Sequence, residues 1–187
     1  MNSSRPGGRS ARVKAAVHQA LLDELVEKPY GRIGIESVAA RAGVHKTSVY
    51  RRWATLETLF AEVAEELAVR EVPVPDTGSL VGDLRTVMRS SVRLFKDPYG
   101  AAISRVLVAE SDHSPALAEM SQRHWERGVA NLRPVFARAR ARGELGPEPT
   151  DERLVEALWA PLYLRRLVNR KPLTYAYVDT VIADVLG

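Results

Sequence analysis

Apolar residues recur along this chain at the spacing of an α-helix, and signals for β-strands are close to absent. The first helical segment places four apolar residues on one ridge, four positions apart: Val13, Val17, Leu21 and Leu25. Proline and glycine interrupt the helical pattern at residues 29–34 and again at residues 72–79, in the segment VPVPDTGS. Such a chain can bury its apolar residues only by packing helices on helices, so the sequence predicts an all-α fold.

The interruptions divide the chain into about nine predicted helices. The first spans residues 9–28, the second ends at Gly43, the third begins at Lys46 and the fourth begins at Thr55. Five more are predicted over residues 79–96, 98–111, 114–142, 150–170 and 174–186. Pro134 and Pro161 fall inside two of these helices and are expected to kink or break them.

The same pattern predicts four successive parts of the chain. They are a basic, disordered arm (1–8), a three-helix domain (9–54), a connecting helix (55–71) and a C-terminal helical domain (79–187).

Positive charge is concentrated in the first quarter of the sequence. Residues 1–53 hold ten Lys or Arg against four acidic residues, a balance of +6, whereas the other 134 residues hold 17 basic and 19 acidic residues, a balance of −2. A basic module joined to a slightly acidic body is typical of a protein that binds a polyanion such as nucleic acid. The alternative is a basic surface that is merely solvated, above all in the arm.

Several classes of protein are disfavoured by composition and spacing. The chain contains no cysteine, which excludes disulfides and thiolate metal sites. It has no apolar run near the roughly 20 residues that span a bilayer and no signal-peptide pattern, so we expect a cytoplasmic protein without a membrane partner. The sequence lacks HExxH, GxSxG and Gly-rich phosphate-loop motifs, which disfavours an enzyme. Glu110, Asp112 and His113 could offer metal ligands, but adjacent residues at a helix end are more often a solvated cap, so no metal or cofactor is expected.

The segment AARAGVHKTSVYRRW, residues 39–53, carries the strongest functional signal. Gly43 stands between two short helical patterns, where a residue without a Cβ can take the positive φ that a steep turn needs. Small or β-branched residues would form the core between the two helices: Val38, Ala39, Val44 and Val49. The outer face of the third helix then consists of polar, basic and phenolic residues: Lys46, Thr47, Ser48, Tyr50, Arg51 and Arg52. This arrangement suits a helix inserted into the DNA major groove, where N-terminal residues meet base edges and longer side chains reach phosphates.

The segment IESVAARAGVHKTSVYRRWATLETLF, residues 35–60, closely resembles the DNA-binding domain of the TetR (tetracycline repressor) family of bacterial regulators. The resemblance implies that the third helix reads a double-stranded operator through Lys46, Thr47, Ser48 and Arg51. It further implies that phosphates are contacted by His45, Tyr50 and Arg52.

Two positions depart from the family pattern. The family usually has Lys where this chain has Leu56, and Thr or Ser where it has Gly34. We therefore expect the contacts to the DNA backbone at these positions to be missing or made differently. The arm residues Arg5, Arg9 and Arg12 would then supply more of the phosphate contacts.

A homodimer is the expected state, because one short recognition helix reads too few base pairs for useful specificity and helix-turn-helix proteins commonly bind two half-sites. The last two helices each have a wide apolar face, and the resemblance implies a four-helix bundle made from the final two helices of each subunit. The predicted interface residues are Leu154, Leu158, Leu162, Tyr177, Val178, Val181, Ile182 and Val185. The same faces could instead pack within their own subunit.

The resemblance also suggests a ligand cavity in the C-terminal domain, and small-molecule sites are generally apolar with a few polar groups. The candidate lining residues, each of which could also be ordinary core, are Met88, Phe95, Tyr99, Met120, Trp125, Trp159 and Tyr163. The predicted function is that of a transcriptional repressor which a small-molecule effector releases from a palindromic operator. The alternative is a DNA-bound scaffold that responds to a protein partner.

Overall fold

The computed structural model describes residues 8–68 and 74–187 and contains nine α-helices in those ranges, with no β-strand there. Before the linker these are α1 (Arg9–Glu27), α2 (Ile35–Arg41), α3 (Lys46–Tyr50) and α4 (Leu56–Ala68), with a 3₁₀ turn at Tyr30–Arg32. After it come α5 (Leu80–Lys96), α6 (Pro98–Ala109), α7 (Pro115–Ala141), α8 (Asp151–Tyr163) and α9 (Tyr175–Leu186). This confirms the predicted all-α fold. The predicted arm before Gly8, with Arg5, and the end of the predicted connecting helix at residues 69–71 lie outside the described residues.

The helices form two compact units. The first contains the described part of Met1–Arg70 together with Ala102–Ala118, and the second contains the described part of Glu71–Ala101 together with Glu119–Gly187. Most of α6 therefore packs with the first unit, although it follows the linker in sequence. One bond that fixes it there runs from the Arg105 guanidinium to the Leu25 carbonyl of α1, at 2.9 Å.

The first unit is built around the apolar ridge of α1. Val17, Leu21 and Leu25 are buried, and helix α1 packs on α2 and α4 while α2 packs on α3. Helices α2, α3 and α4 contribute further buried apolar residues: Val38, Ala39, Val49, Leu59, Phe60 and Val63. Burial of one such leucine side chain contributes roughly 1.5–3 kcal/mol. Since the core residues lie on one side of α2 and α3, the other side of both short helices faces outward.

Glu24, a carboxylate buried to 2% exposure, joins α1 to α2. Its Oε2 lies 2.7 Å from the Ser37 hydroxyl, which donates to it. The Lys28 ammonium donates to Oε1 at 3.2 Å, and the Arg41 guanidinium forms an ion pair at 3.6 Å. A buried charge without such partners would be strongly destabilising, so these contacts are what allow a carboxylate at this position.

The core of the second unit is shared by α5, α7, α8 and α9. Its largest buried side chains include Leu84, Met88, Phe95, Phe136, Leu154, Leu158 and Leu162. Three of these helices begin at a hydroxyl that accepts a backbone N–H of the first turn: Ser79 from Gly82, Thr150 from Arg153, and Thr174 from Tyr177.

The two internal prolines act differently. Helix α7 continues through Pro134, so the helix is not broken there. The single helix predicted over residues 150–170 instead ends at Tyr163 and is followed by a π-helical segment, Leu164–Val168. In this segment the Asn169 N–H donates to the Leu164 carbonyl, five residues back, at 2.9 Å. Pro161 has no N–H and cannot donate to the carbonyl of the preceding helical turn. One backbone hydrogen bond of α8 is therefore missing just before the π-helical segment.

Candidate nucleic-acid interface

The turn between α2 and α3 depends on Gly43, whose φ is +67°. The Gly43 N–H donates to the Ala40 carbonyl at 3.1 Å, and the Val44 N–H donates to the Ala39 carbonyl at 3.0 Å. These two bonds are the Schellman pattern that ends a helix on a left-handed residue. The predicted turn is confirmed, and it sets the direction in which α3 leaves α2.

Gly34 precedes α2, at the position where the resemblance expects a hydroxyl residue. The Gly34 N–H donates to the Ser37 hydroxyl at 3.3 Å. A glycine has no side chain to return a bond, so only one half of a capping box is present. This end of α2 therefore offers no side-chain hydroxyl at residue 34, although Ser37 satisfies the backbone.

Helix α4 begins with a capping box made by two threonines. The Thr55 N–H donates to the Thr58 hydroxyl at 3.2 Å, and the Thr58 N–H donates to the Thr55 hydroxyl at 3.3 Å. The sequence pattern is imperfect because residue 58 is not acidic, yet a second hydroxyl makes both bonds. The neighbouring Leu56, where the resemblance expects Lys, is half-buried.

Val49 is fully buried and anchors α3 to the core, so the residues on either side of it point outward. His45, Lys46, Thr47 and Arg51 are exposed, and Ser48 is half-buried. Within residues 8–68 and 74–187, the side chains of Lys46, Thr47 and Arg51 make no hydrogen bond or ion pair. They are therefore available to an external ligand.

Tyr50 and Arg52 are also exposed, but each has a partner within the protein. The Tyr50 hydroxyl donates to the Glu36 carboxylate at 2.7 Å. This bond lowers the pKa of Glu36 and raises the pKa of Tyr50. The Arg52 guanidinium donates to the Ser10 hydroxyl at 2.8 Å and lies 5.5 Å from the centre of the Trp53 ring. Helical periodicity gave no sign of Glu36 and Ser10 as partners, because 14 and 42 residues separate them from the residues they bind.

A polar cluster fixes the end of α3 to α1 and α4. The Trp53 indole N–H donates to Glu62 at 2.6 Å, and its ring lies 5.5 Å from the buried His18 ring. His18 Nδ1 lies 2.8 Å from Glu66, while Lys14 forms ion pairs of 2.6 Å with both carboxylates. Burial alone would raise the pKa of Glu62, but its bonds from Lys14 and Trp53 outweigh this effect and lower it. Three helices of the first unit thus meet at one tryptophan.

The predicted interface residues of α8 and α9 are mostly covered by their own subunit. Leu154, Leu158, Leu162, Val178, Val181 and Ile182 are buried in the core of the second unit, and Tyr177 and Val185 pack against it. The reason is that α9 packs on both α5 and α8. The faces of α8 and α9 that remain exposed carry different residues.

The predicted ligand-site residues divide into two groups. Five belong to the core of the second unit or pack against it: Met88, Phe95, Trp125, Trp159 and Tyr163. The Phe95 and Tyr163 rings meet edge-on at 5.2 Å, the Trp159 indole donates to the Ser91 hydroxyl at 3.1 Å, and burial raises the pKa of Tyr163. Tyr99 and Met120 are half-buried residues outside that core. Met88 has no surface that water can reach, so a ligand would contact it only after displacing its neighbours.

Within residues 8–68 and 74–187, none of the helices is both long and apolar enough to cross a membrane. No group of three His, Asp or Glu side chains in those ranges is arranged to hold a metal ion, and this includes Glu110, Asp112 and His113.

Two short helices joined by a left-handed glycine, with the second helix presenting an unpaired polar and cationic face, define a helix-turn-helix DNA-binding protein. Residues 19–63 match the family model for "Bacterial regulatory proteins, tetR family", and residues 74–185 match the model for "Tetracyclin repressor-like, C-terminal domain". The chain belongs to the TetR family, whose members are DNA-binding transcriptional regulators rather than enzymes.

Individual relatives agree with this assignment. The HTH-type transcriptional regulator AqdR of Rhodococcus erythropolis is 32% identical over 147 residues, which cover 79% of this chain and 70% of AqdR. The DNA-binding transcriptional repressor TetR of Mycobacteroides abscessus is 29% identical over 174 residues, covering 92% and 90% of the two chains. Among solved structures, a SmeT–triclosan complex aligns with a TM-score of 0.74 at 20% identity, covering 92% of this chain and 90% of SmeT, which shows a shared fold.

Proposed function

We propose that this chain is a cytoplasmic transcriptional repressor that binds a palindromic operator as a homodimer and is released by a small-molecule effector. The observation that carries the proposal is the outward face of α3, where the side chains of Lys46, Thr47 and Arg51 make no hydrogen bond or ion pair within the described residues and are held in position by the Gly43 turn. The relative from Mycobacteroides abscessus is a DNA-binding transcriptional repressor, which supports a repressor role.

DNA binding can be tested without knowing the operator. Duplexes are selected from a randomised pool on the immobilised protein, and affinity is then measured by fluorescence anisotropy at several salt concentrations. Selected duplexes should contain an inverted repeat with half-sites roughly one helical turn apart. Lys46→Ala and Arg51→Ala should weaken binding at least tenfold, whereas Arg133→Ala, which removes another exposed cation, from α7, should not. Equal effects of all three variants would contradict an interface on α3.

The homodimer would use the outer face of α8. Two exposed residues of α8 and two of the π-helical segment follow one another at helical spacing: Ala157, Ala160, Leu164 and Val168. Leu164 and Val168 are 54% and 69% exposed, which is unusual for residues of their size on consecutive turns. In the π-helical segment Val168 lies on the same side of the helix as Leu164, so the apolar stripe extends beyond the end of α8. Small exposed residues of α9 would lie beside it: Ala176, Thr180 and Ala183.

Ala160→Arg places a long cation in the middle of this stripe and should convert the dimer to a monomer in sedimentation velocity. The control is Ala137→Arg, the same change at an exposed position of α7. If both variants remain dimers, the interface lies elsewhere.

The effector would bind the second unit near Trp125, Trp159 and Tyr163, which are half-buried and amphipathic. Release follows if the effector prefers a conformer whose two α3 helices are wrongly spaced for the operator, because effector binding and DNA binding are then linked equilibria.

Triclosan, the compound bound to SmeT, is a suitable first probe in a thermal-shift screen of apolar molecules. Compounds that raise the melting temperature should also lower affinity for the selected duplex. The buried state of Met88 is the observation that favours the alternative, a protein partner as the signal, and stabilising compounds that never release DNA would support it.

A further inference from the structure

One acidic residue stands beside the DNA-facing side of α3. Glu36 is the only Asp or Glu between Lys28 and Glu57 in the sequence. It lies in the first turn of α2, is exposed, and accepts the Tyr50 hydroxyl hydrogen at 2.7 Å. The positive charge of Lys46 also acts on it. Glu36 therefore interacts with two of the residues that the sequence predicts to contact DNA.

The chemistry of this pair opposes a phosphate contact. A tyrosine hydroxyl has a single hydrogen to donate, and a phosphate oxygen can only accept. While Tyr50 donates to Glu36, its oxygen offers lone pairs alone. A carboxylate at hydrogen-bonding distance also repels any phosphate that approaches the same hydroxyl, and little screening applies over a few ångströms.

We infer that Glu36 weakens DNA binding: it accepts the Tyr50 hydroxyl hydrogen, so that this hydrogen cannot be donated to a phosphate of the DNA backbone, and it thereby lowers affinity for duplexes of any sequence. The inference rests on the proposed DNA-binding function. Phosphate contacts supply most of the sequence-independent affinity, while base contacts supply discrimination. A residue that weakens only a phosphate contact reduces retention on the large excess of non-operator DNA and leaves the base-reading residues of α3 untouched.

The experiment uses the full chain and a duplex of random sequence at low ionic strength. Glu36→Ala removes the acceptor and its charge, and should raise affinity about threefold to tenfold, the range that one recovered hydrogen bond supports. Glu152→Ala is the matched control, because Glu152 is also an exposed glutamate at the second position of a helix and changes the net charge equally. It should leave affinity unchanged. Thermal melts of both variants verify that they are folded.

The Tyr50→Phe background separates the effect of the Tyr50–Glu36 hydrogen bond on DNA affinity from the effect of the Glu36 charge. Without the hydroxyl only the loss of the negative charge remains, so adding Glu36→Ala to Tyr50→Phe should raise affinity by a smaller factor than Glu36→Ala does when Tyr50 is present. The inference is overturned if Glu36→Ala binds duplex no better than the unmodified protein, or if its gain is the same in both backgrounds. Failure of the unmodified protein to bind any duplex would instead overturn the proposed function, so the two failures are distinguishable.

Discussion

The left-handed conformation of Gly43 makes a quantitative prediction for Gly43→Ala. The structure leaves room for the added methyl group, since nothing lies within 4 Å of the ideal Cβ position. The penalty is therefore one of backbone conformation, about 1–2 kcal/mol for an L-residue in this region. Alanine also restricts the unfolded chain, which offsets roughly 0.4–1 kcal/mol. The free energy of unfolding should fall by about 1 kcal/mol.

Gly31→Ala provides the matched control. Its ideal Cβ position is equally open, and its φ is not positive. Only the effect on the unfolded chain remains there, so Gly31→Ala should be neutral or slightly stabilising. The difference between the two variants isolates the left-handed penalty, about 1–2 kcal/mol. Gly43→Asn should fall between them, because asparagine tolerates this conformation better than alanine.

The measurement is urea unfolding followed by circular dichroism at fixed protein concentration, since a dimer would make the midpoint concentration-dependent. The slope of free energy against urea should be the same for all variants, so that midpoints can be compared directly. If Gly43→Ala and Gly31→Ala unfold at the same midpoint, residue 43 is not held at positive φ in solution. The argument that glycine fixes the direction of α3 would then fail.

Three further predictions concern single side chains. Glu36→Gln should lower the pKa of Tyr50 toward its ordinary value, because the carboxylate favours the protonated phenol; an unchanged curve in an NMR titration of the ring would contradict this. Thr150→Ala removes the hydroxyl that caps α8 and should reduce the free energy of unfolding by about 1 kcal/mol in urea, whereas Thr150→Ser should retain most of it. The hydrogen bond from Arg85 holds the pKa of Asp179 below its usual value, so its stabilisation is present above about pH 4 and is lost as the pH falls further. Asp179→Asn should flatten the acid side of the stability profile, and an equally steep profile would refute that assignment.

Most helix positions follow from apolar spacing and from proline and glycine. The first helix, predicted at residues 9–28, spans Arg9–Glu27, and the third begins at Lys46 as predicted. The exception is the segment after Pro161. The backbone becomes π-helical over Leu164–Val168, and the spacing of apolar residues does not predict this change. Helix α7 shows the converse, since a proline can be accommodated in a long helix whose neighbouring turns are packed.

The sequence predicts less well which residues the exposed and apolar faces of the helices contact. Periodicity shows that Leu158 and Val178 lie on an apolar face, but it does not show whether that face meets the same subunit or another. Here the same subunit covers both residues. Likewise, spacing places Tyr50 on the outer side of α3, while its bond to Glu36 depends on how α2 and α3 cross in space.

Glu24 has a consequence for how related sequences can diverge. A substitution at position 24 would remove the bond between Ser37 and α1, but the Ser37 hydroxyl would keep the Gly34 carbonyl as an acceptor and Arg41 would keep its bonds to Glu27. Lineages that exchange this glutamate for an apolar residue can therefore retain residues 37 and 41, and the Arg41–Glu27 pair then holds α1 to α2. Statistical covariation between position 24 and these two sites should accordingly be weak.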